Sequence, residues 1–348
     1  MGSIVTLARW LGPWATTTKA PVVEIVEDTA WGTRVRLYRP RGIPDATYLI
    51  APGLHYAGAD DPRLDRFCRI LAAAGHLVVA PFIRDYLALT PNARAIAEFR
   101  RTFEALPRWT THKPVVFSIS FGSLLAFALA ADVPDQIDKL VIFGGYADFR
   151  ETLRFCLTGE VEPSAPATGA GQPRSRDPLN QPVVLANLLG HFDPPPAEAD
   201  ALLAGWRRYV ERTWGRPEMK ASERFTAVAQ ELANTVPASV RELFLIGVGV
   251  HPGATELAEA ALVHFDARAL DPSPFLPRIR GRVELVHGTD DDVIPFEQSH
   301  ALAARLVQAD VRVHITGLYG HTGSQLPRIG AAAKELRTML RVLRVLAT

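Results

Sequence analysis

The stretch Pro114-Val115-Val116-Phe117-Ser118-Ile119-Ser120-Phe121-Gly122-Ser123-Leu124-Leu125-Ala126 decides the fold. A β-branched and aromatic run, typical of a buried strand, passes directly into an Ala/Leu-rich pattern typical of a helix. A serine at such a junction, with small residues two positions before and after it, predicts a tight strand-to-helix turn that exposes its hydroxyl. The sequence therefore predicts Ser120 as a nucleophile and the amide of Phe121 as a donor to a developing oxyanion.

Two features leave alternatives open at this turn. The common form is Gly-x-Ser-x-Gly, and here Ser118 stands in place of the first glycine. Ser118 is itself a possible nucleophile, but the residue two positions before it is the bulky Val116, which favours Ser120. The plain alternative is a buried strand leading into a helix, with serines that have no catalytic role.

Two later segments follow in an informative order. Residues 282–288 predict a strand that ends at Gly288, and a carboxylate-rich turn and a helix beginning near Phe296 come after it. The turn contains Asp290, Asp291 and Asp292. A second strand pattern over 311–315 leads to His321, before a long C-terminal helix. Serine, aspartate and histidine thus occur in this order, each on a loop after a strand.

In these motifs the chain resembles the α/β-hydrolase superfamily over roughly residues 20–148 and 280–348. The resemblance implies an α/β fold with a mostly parallel central sheet and helices on both faces. It also implies a helical cap inserted over 149–279, with 1–19 as an N-terminal extension. In the family the acid lies three residues after the strand-ending glycine and four before a proline, which selects Asp291, and the base is His321. Asp148 remains an alternative acid, because some members draw theirs from the loop after the sixth strand.

Each implied residue type has a chemical reason. A serine hydroxyl is a weak nucleophile at neutral pH and needs a base within hydrogen-bond reach. Histidine can take and return that proton, and a carboxylate fixes its tautomer and stabilises the imidazolium. We therefore expect a Ser120–His321–Asp291 triad that needs no metal and no cofactor. The sequence contains no zinc-binding motif and no glycine-lysine phosphate loop.

The second oxyanion donor is expected on the loop after the third strand. Ala46–Ala51 predicts that strand, and Pro52-Gly53 follows it like the family's His-Gly dipeptide, so the resemblance nominates the amide of Leu54. His55 departs from the pattern. It is a candidate pocket residue or a shaper of the oxyanion loop, and the alternative is an exposed loop histidine.

The insertion predicts helices because apolar residues recur three and four positions apart. The helical patterns lie near 179–190, 198–213, 222–235, 237–247 and 254–264. The segment 159–178, dense in Pro, Gly, Ala and Ser, predicts a flexible loop. The insertion's aromatic residues suit a hydrophobic substrate, and each is alternatively part of the insertion's own core. They are Trp206, Trp214, Phe225 and Phe244.

Composition narrows the function. The net charge of +1 over 348 residues gives no large electrostatic field that would attract nucleic acid, so we expect no nucleic-acid partner. Two cysteines are no disulfide framework, and Arg9 interrupts the apolar run at the N-terminus, which makes a poor secretion signal. We expect a cytoplasmic protein with no firm membrane association and an amphipathic N-terminal helix packed on its body. The C-terminal helix is expected to cover the sheet, with Leu336, Leu340 and Leu343 on one side.

These observations predict a serine hydrolase that cleaves a carboxylic ester. The expected substrate is a small molecule with a hydrophobic acyl group. The same triad supports thioester hydrolysis, acyl transfer, carbon–carbon bond hydrolysis and perhydrolysis, because fold and triad do not fix the substrate. A non-catalytic binding protein on a hydrolase scaffold is the alternative from another class. The oligomeric state is not determined by the sequence.

Overall fold

The computed structural model describes residues 2–12, 14–161, 174, 176–317, 319–320, 323–324 and 332–347. Contacts divide the chain into two compact units. The first comprises Met1–Asp148, Leu270–Asp291 and Phe296–Thr348, and the second comprises Phe149–Ala269 and Asp292–Pro295. None of the described helices is long and apolar enough to cross a bilayer.

The first unit is built on one sheet. Among the described residues its eight strands are β1 (Glu24–Ala30), β2 (Thr33–Arg39), β3 (Ala46–Ala51), β4 (His76–Pro81), β5 (Pro114–Ile119), β6 (Lys139–Phe143), β7 (Gly281–Gly288) and β8 (Ala309–Thr316). The spatial order is β1-β2-β4-β3-β5-β6-β7-β8. Strand β2 runs antiparallel to both neighbours, and the pairs from β4 to β8 are parallel. The predicted α/β class, with its mostly parallel sheet and antiparallel opening pair, is confirmed.

Helices accompany this sheet in chain order. They are α1 (Ser3–Leu11), α2 (Pro62–Ala73), α3 (Arg84–Leu87), α4 (Arg94–Glu104), α5 (Gly122–Asp132), α12 (Glu297–Arg305) and α13 (Ala332–Ala347). A short antiparallel pair, β9 (Tyr319–Gly320) and β10 (Gly323–Ser324), precedes α13. As predicted, Asp61 caps α2 by accepting the amides of Arg63 and Leu64, with Pro62 at the first helical position.

Both faces of the sheet are covered, as a parallel sheet requires. On β3, Tyr48 and Ile50 belong to a buried cluster with residues of α1, α2 and α13. The alternate residues Leu49 and Ala51 point to the other face and are equally buried, and α5 packs against β3. The N-terminal helix α1 packs on this body as predicted, through the fully buried Leu7.

The predicted buried stripe of α13 is wrong in two positions. Leu336 and Leu340 are 47% and 37% exposed, whereas Leu343 is fully buried. The buried stripe runs through Met339, Val342, Leu343 and Leu346. Leu336 and Leu340 lie on its flank, because the helix is rotated relative to the face that leucine spacing alone suggested.

The second unit is helical. Its helices are α6 (Phe149–Thr158), α7 (Gln181–Leu188), α8 (Ala199–Thr213), α9 (Ser222–Ala233), α10 (Arg241–Gly247) and α11 (Ala254–Leu262). Trp206 and Phe244 are buried, and the Trp206 indole donates to the Phe244 carbonyl at 3.2 Å, so these two aromatic residues form this unit's own core. The loop predicted over 159–178 lies largely outside the described residues.

Gly122, the first residue of α5, is closely surrounded by backbone atoms of the loop after β3. A Cβ there would lie 2.2 Å from the Ala51 carbonyl oxygen and 2.6 Å from that of Pro52. Both obstacles are backbone atoms that cannot rotate away. We predict that Gly122→Ala lowers the free energy of unfolding by roughly 1–3 kcal/mol in urea titrations.

The matched control for this prediction is Gly190→Ala. A Cβ at Gly190 meets nothing within 4 Å, so its effect should stay within about 0.5 kcal/mol. Equal effects at Gly122 and Gly190 would contradict the steric account.

Candidate active site

Ser120 has the backbone conformation that a strand-to-helix elbow demands. It lies between the end of β5 at Ile119 and the start of α5 at Gly122, and its φ is +53°, in the left-handed region that non-glycine residues rarely occupy. Its amide donates to the Phe143 carbonyl at 2.8 Å, and its carbonyl accepts the Ser123 amide at 3.0 Å. The surrounding hydrogen bonds therefore hold Ser120 in a strained conformation.

The loop after β3 passes directly against this elbow. A Cβ on Gly53 would lie 3.1 Å from the Ile119 carbonyl oxygen and 3.5 Å from the Ser120 Cβ. The close approach places the Pro52-Gly53-Leu54 segment beside Ser120. Both residues nominated as oxyanion donors, Phe121 and Leu54, are therefore direct chain neighbours of this contact.

Ser118 occupies a different environment. It lies within β5, is fully buried, and its hydroxyl has no hydrogen-bond partner among the described residues. Activation of a serine hydroxyl requires a base within hydrogen-bond reach, and none of the described side chains supplies one to Ser118. The choice of Ser120 over Ser118, made from the bulk of Val116, stays a prediction.

The carbonyl of Phe121 is fixed by a buried tyrosine. The Tyr86 hydroxyl donates to it at 2.9 Å, and burial raises the pKa of Tyr86, so the hydroxyl keeps its proton. The Phe121 ring packs against that of Tyr146, with centroids 5.3 Å apart. These contacts hold the start of α5 rigidly next to Ser120.

His55 is largely buried in the loop after β3. Its side chain is only 15% exposed, so the alternative of an exposed loop histidine is wrong. Its Nδ1 accepts the Ala57 amide at 3.2 Å, its Nε2 lies 3.1 Å from Asp61 Oδ2, and its ring stacks on Tyr56. Burial lowers the pKa of the His55 ring, and the Asp61 carboxylate opposes this shift only in part. The lowered pKa leaves the ring neutral at pH 7, and its role as a pocket residue or a shaper of the loop stays a prediction.

Asp61 is the anchor of that loop. Burial alone would raise the pKa of its carboxyl, but the hydrogen bonds and charge of Arg63 lower it below its ordinary value. The ionised carboxylate caps α2 and also faces His55. The Asp61 carboxylate therefore both caps α2 and contacts the loop after β3.

The three neighbouring aspartates after β7 have different surroundings. Asp290 is exposed, whereas the Asp291 side chain is only 2% exposed and its Oδ2 lies 3.4 Å from His287 Nε2. Asp292 forms an ion pair with Lys220, which also lies 3.2 Å from Asp177. Asp292 is thus engaged in an ion pair of the second unit, and Asp291 is the buried carboxylate of the turn.

The alternative acid, Asp148, follows β6. Its amide and that of Ala147 donate to the Gln298 side-chain oxygen at 2.9 and 2.8 Å. These bonds fix the backbone of the loop after β6. They involve the backbone amides and not the Asp148 carboxylate, so Asp148 stays an alternative acid only by its place in the sequence.

His321 lies outside the described residues. It falls between β9 and β10, and β9 runs beside β7, the strand that leads into the Asp291 turn. Among the described residues, no group of three or more His, Cys, Asp or Glu side chains is arranged to hold a metal ion.

Sequence reasoning missed His287 and Ser299. His287 is fully buried at the end of β7, and its Nδ1 lies 2.7 Å from the Ser299 hydroxyl on α12. A histidine within a strand pattern carries no sign of a partner four residues later across a turn. One signal for this contact was available in the sequence. Gly288 follows His287 directly and Asp291 comes three residues later, and a sharp turn after a strand can fold back onto the strand's last side chains.

The strand order, the antiparallel β2 and the serine elbow between β5 and α5 define the α/β-hydrolase fold, and the chain has this fold. No protein-family model matches the sequence, and no curated protein matches it.

Several solved structures are similar to this chain. One is a serine hydrolase from the polyaromatic-hydrocarbon-degrading bacterium Cycloclasticus zankles, at 15% identity over 93% of this chain and 98% of that one, with a TM-score of 0.48. Another is a 2-hydroxy-6-oxo-6-phenylhexa-2,4-dienoate hydrolase from a Rhodococcus species, at 16% identity over 92% of this chain and 100% of that one, with a TM-score of 0.46. A third is the acylaminoacyl peptidase of Pyrococcus horikoshii, at 11% identity over 94% of this chain and a TM-score of 0.47; this chain spans 41% of it.

The strain at Ser120 gives a prediction that is independent of activity. Glycine adopts a positive φ without cost, whereas alanine does not. Ser120→Gly should therefore be more stable than Ser120→Ala by about 1 kcal/mol in urea unfolding.

Ser123 provides the control, because it lies in α5 only three residues away. There the order should reverse, with Ser123→Gly about 1 kcal/mol less stable than Ser123→Ala. If Ser120→Ala were more stable than Ser120→Gly, as expected at Ser123, the backbone of Ser120 would be unstrained.

Proposed function

We propose that the protein is a serine hydrolase that cleaves a carboxylic ester through an acyl-enzyme intermediate. The observation that carries the proposal is the left-handed backbone of Ser120 at the β5–α5 turn, with φ at +53°. Strain of this kind persists only where the surroundings enforce it, and it is concentrated at functional sites. Here it falls on a buried serine at the junction between β5 and α5.

In the proposed reaction Ser120 attacks the ester carbonyl while His321 accepts the hydroxyl proton. The amides of Phe121 and Leu54 stabilise the resulting oxyanion. Collapse of the tetrahedral intermediate breaks the ester bond, and His321 returns its proton to the departing alcohol. Water, deprotonated by His321, then attacks the acyl-enzyme and releases the acid, which restores Ser120. Asp291 holds the histidine in the required tautomer throughout.

The proposed substrate is a small molecule with an apolar acyl group. Both residues proposed as oxyanion donors carry apolar side chains, and Phe121 packs on a second aromatic ring. Such surroundings favour a hydrocarbon chain over a charged one.

We place this activity in the cytoplasm. Cys68 and Cys156 are both buried thiols, and the Cys156 thiol donates to the Val293 carbonyl at 3.2 Å. Burial also raises the pKa of Cys68, which keeps it protonated and unreactive. Buried structural thiols of this kind fit a reducing compartment.

The nucleophile is tested with p-nitrophenyl esters of rising chain length. Ser120→Ala should lower kcat by at least about 10³-fold, because the whole triad acts through this oxygen. Ser118→Ala should retain nearly full activity and stability, since its buried hydroxyl has no partner to lose among the described residues. An inactive Ser118→Ala beside an active Ser120→Ala would overturn the proposal.

The acid is tested with a matched pair of adjacent aspartates. Asp291→Asn should lower kcat by on the order of 10⁴-fold, as loss of the orienting carboxylate does in other serine triads. Asp290→Asn changes the same charge on an exposed neighbour and should stay near wild type. Full activity in Asp291→Asn together with an inactive Asp148→Asn would move the acid to the loop after β6.

A further inference from the structure

The Asp291 carboxylate is buried against a histidine that no step of the proposed reaction uses. His287 Nε2 lies 3.4 Å from Asp291 Oδ2, and the two side chains are 0% and 2% exposed. An ionised carboxylate removed from water to this degree is costly unless polar groups compensate it. His287 is one such group.

The backbone explains why the two side chains meet. Strand β7 ends at Gly288, and the Asp291 amide donates to the Gly288 carbonyl at 3.3 Å, which closes a tight turn. The Thr289 amide donates to the Thr316 carbonyl at 2.9 Å and ties this turn to the end of β8. The turn therefore folds Asp291 back against His287, the residue before Gly288 in β7.

The other face of the imidazole is also engaged. His287 Nδ1 lies 2.7 Å from the hydroxyl of Ser299, which is itself buried at the start of α12. When the serine hydroxyl donates to Nδ1, the ring proton resides on Nε2, the nitrogen that lies 3.4 Å from Asp291 Oδ2. Ser299, His287 and Asp291 then form one continuous polar chain from α12 to the turn.

We propose that His287 is a positioning residue that holds one oxygen of Asp291 and leaves the other for the catalytic histidine. The inference rests on the proposed function, in which Asp291 is the acid of the triad. His287 is fully buried, so it acts through Asp291 and not on the substrate. Its effect on the reaction is to fix the direction from which the Asp291 carboxylate accepts a hydrogen bond from the catalytic histidine.

Two amide variants separate this role from simple packing. The side-chain nitrogen of His287→Gln takes the position of Nε2 and keeps the contact with Asp291, whereas that of His287→Asn takes the position of Nδ1 and keeps the contact with Ser299. Each variant loses one polar contact, so a similar loss of stability is expected from both. We expect kcat to fall about 10- to 100-fold in His287→Asn, since the polar contact with the Asp291 carboxylate is lost, and to fall much less in His287→Gln.

The KM value should stay within about threefold of wild type in both variants, because the substrate is not touched. In the Asp291→Asn background, His287→Asn should cause no further fall in kcat. Equal kcat values for the two single variants, or additive effects of Asp291→Asn and His287→Asn, would overturn the inference. If Asp291→Asn were itself fully active, the assignment of Asp291 as the acid would fail, and an active Ser120→Ala would overturn the proposed function, so these failures are distinguishable from a failure of His287 alone.

A measurement on the wild-type protein covers the case in which both variants fail to fold. Proton–nitrogen NMR of protein labelled with ¹⁵N-histidine should show a ring proton on Nε2 of His287, protected from exchange, with no proton on Nδ1. This resonance should shift in Asp291→Asn and in Ser299→Ala. A ring protonated on Nδ1, or a resonance unaffected by Asp291→Asn, would refute the proposed chain of hydrogen bonds.

Discussion

Close packing of backbone at the β5–α5 junction is the constraint on which the rest of the site depends. The carbonyl oxygens of Ala51 and Pro52 occupy the space that any side chain at position 122 would need. On the opposite side, Gly53 lies against Ser120. The loop after β3 and the left-handed turn at Ser120 therefore meet in this closely packed region. The two segments can approach so closely because Gly53 and Gly122 have no Cβ atoms between them.

Polar groups around this junction are held by buried partners. Tyr86 fixes the carbonyl of Phe121, Asp61 faces His55 while it caps α2, and His287 faces Asp291. Each contact links a loop to a rigid strand or helix. Preorganised dipoles of this kind contribute most to catalysis because they need not reorient as charge develops. The proposed chemistry thus depends on side chains that never reach the substrate.

Much of this arrangement could be predicted from the sequence, because short apolar runs and small residues at fixed spacing determine local structure directly. The elbow at Ser120, the strand that ends at Gly288 and the cap of α2 follow from such local rules. Leucine spacing misassigned the buried face of α13, since periodicity gives a stripe but not its rotation against the sheet. The contact between His287 and Asp291 could not be foreseen, because it depends on how a turn folds back. His321 stays a prediction from the sequence.

The central claim is that the hydroxyl of Ser120 is the reacting nucleophile. The most direct measurement is peptide mass spectrometry of wild-type protein after labelling with a fluorophosphonate, which phosphonylates an activated serine with loss of fluoride. The account predicts a single adduct, at Ser120, that forms in native protein and is absent after denaturation. An adduct at Ser118 or at another serine, or no adduct in native protein that hydrolyses esters, would contradict it.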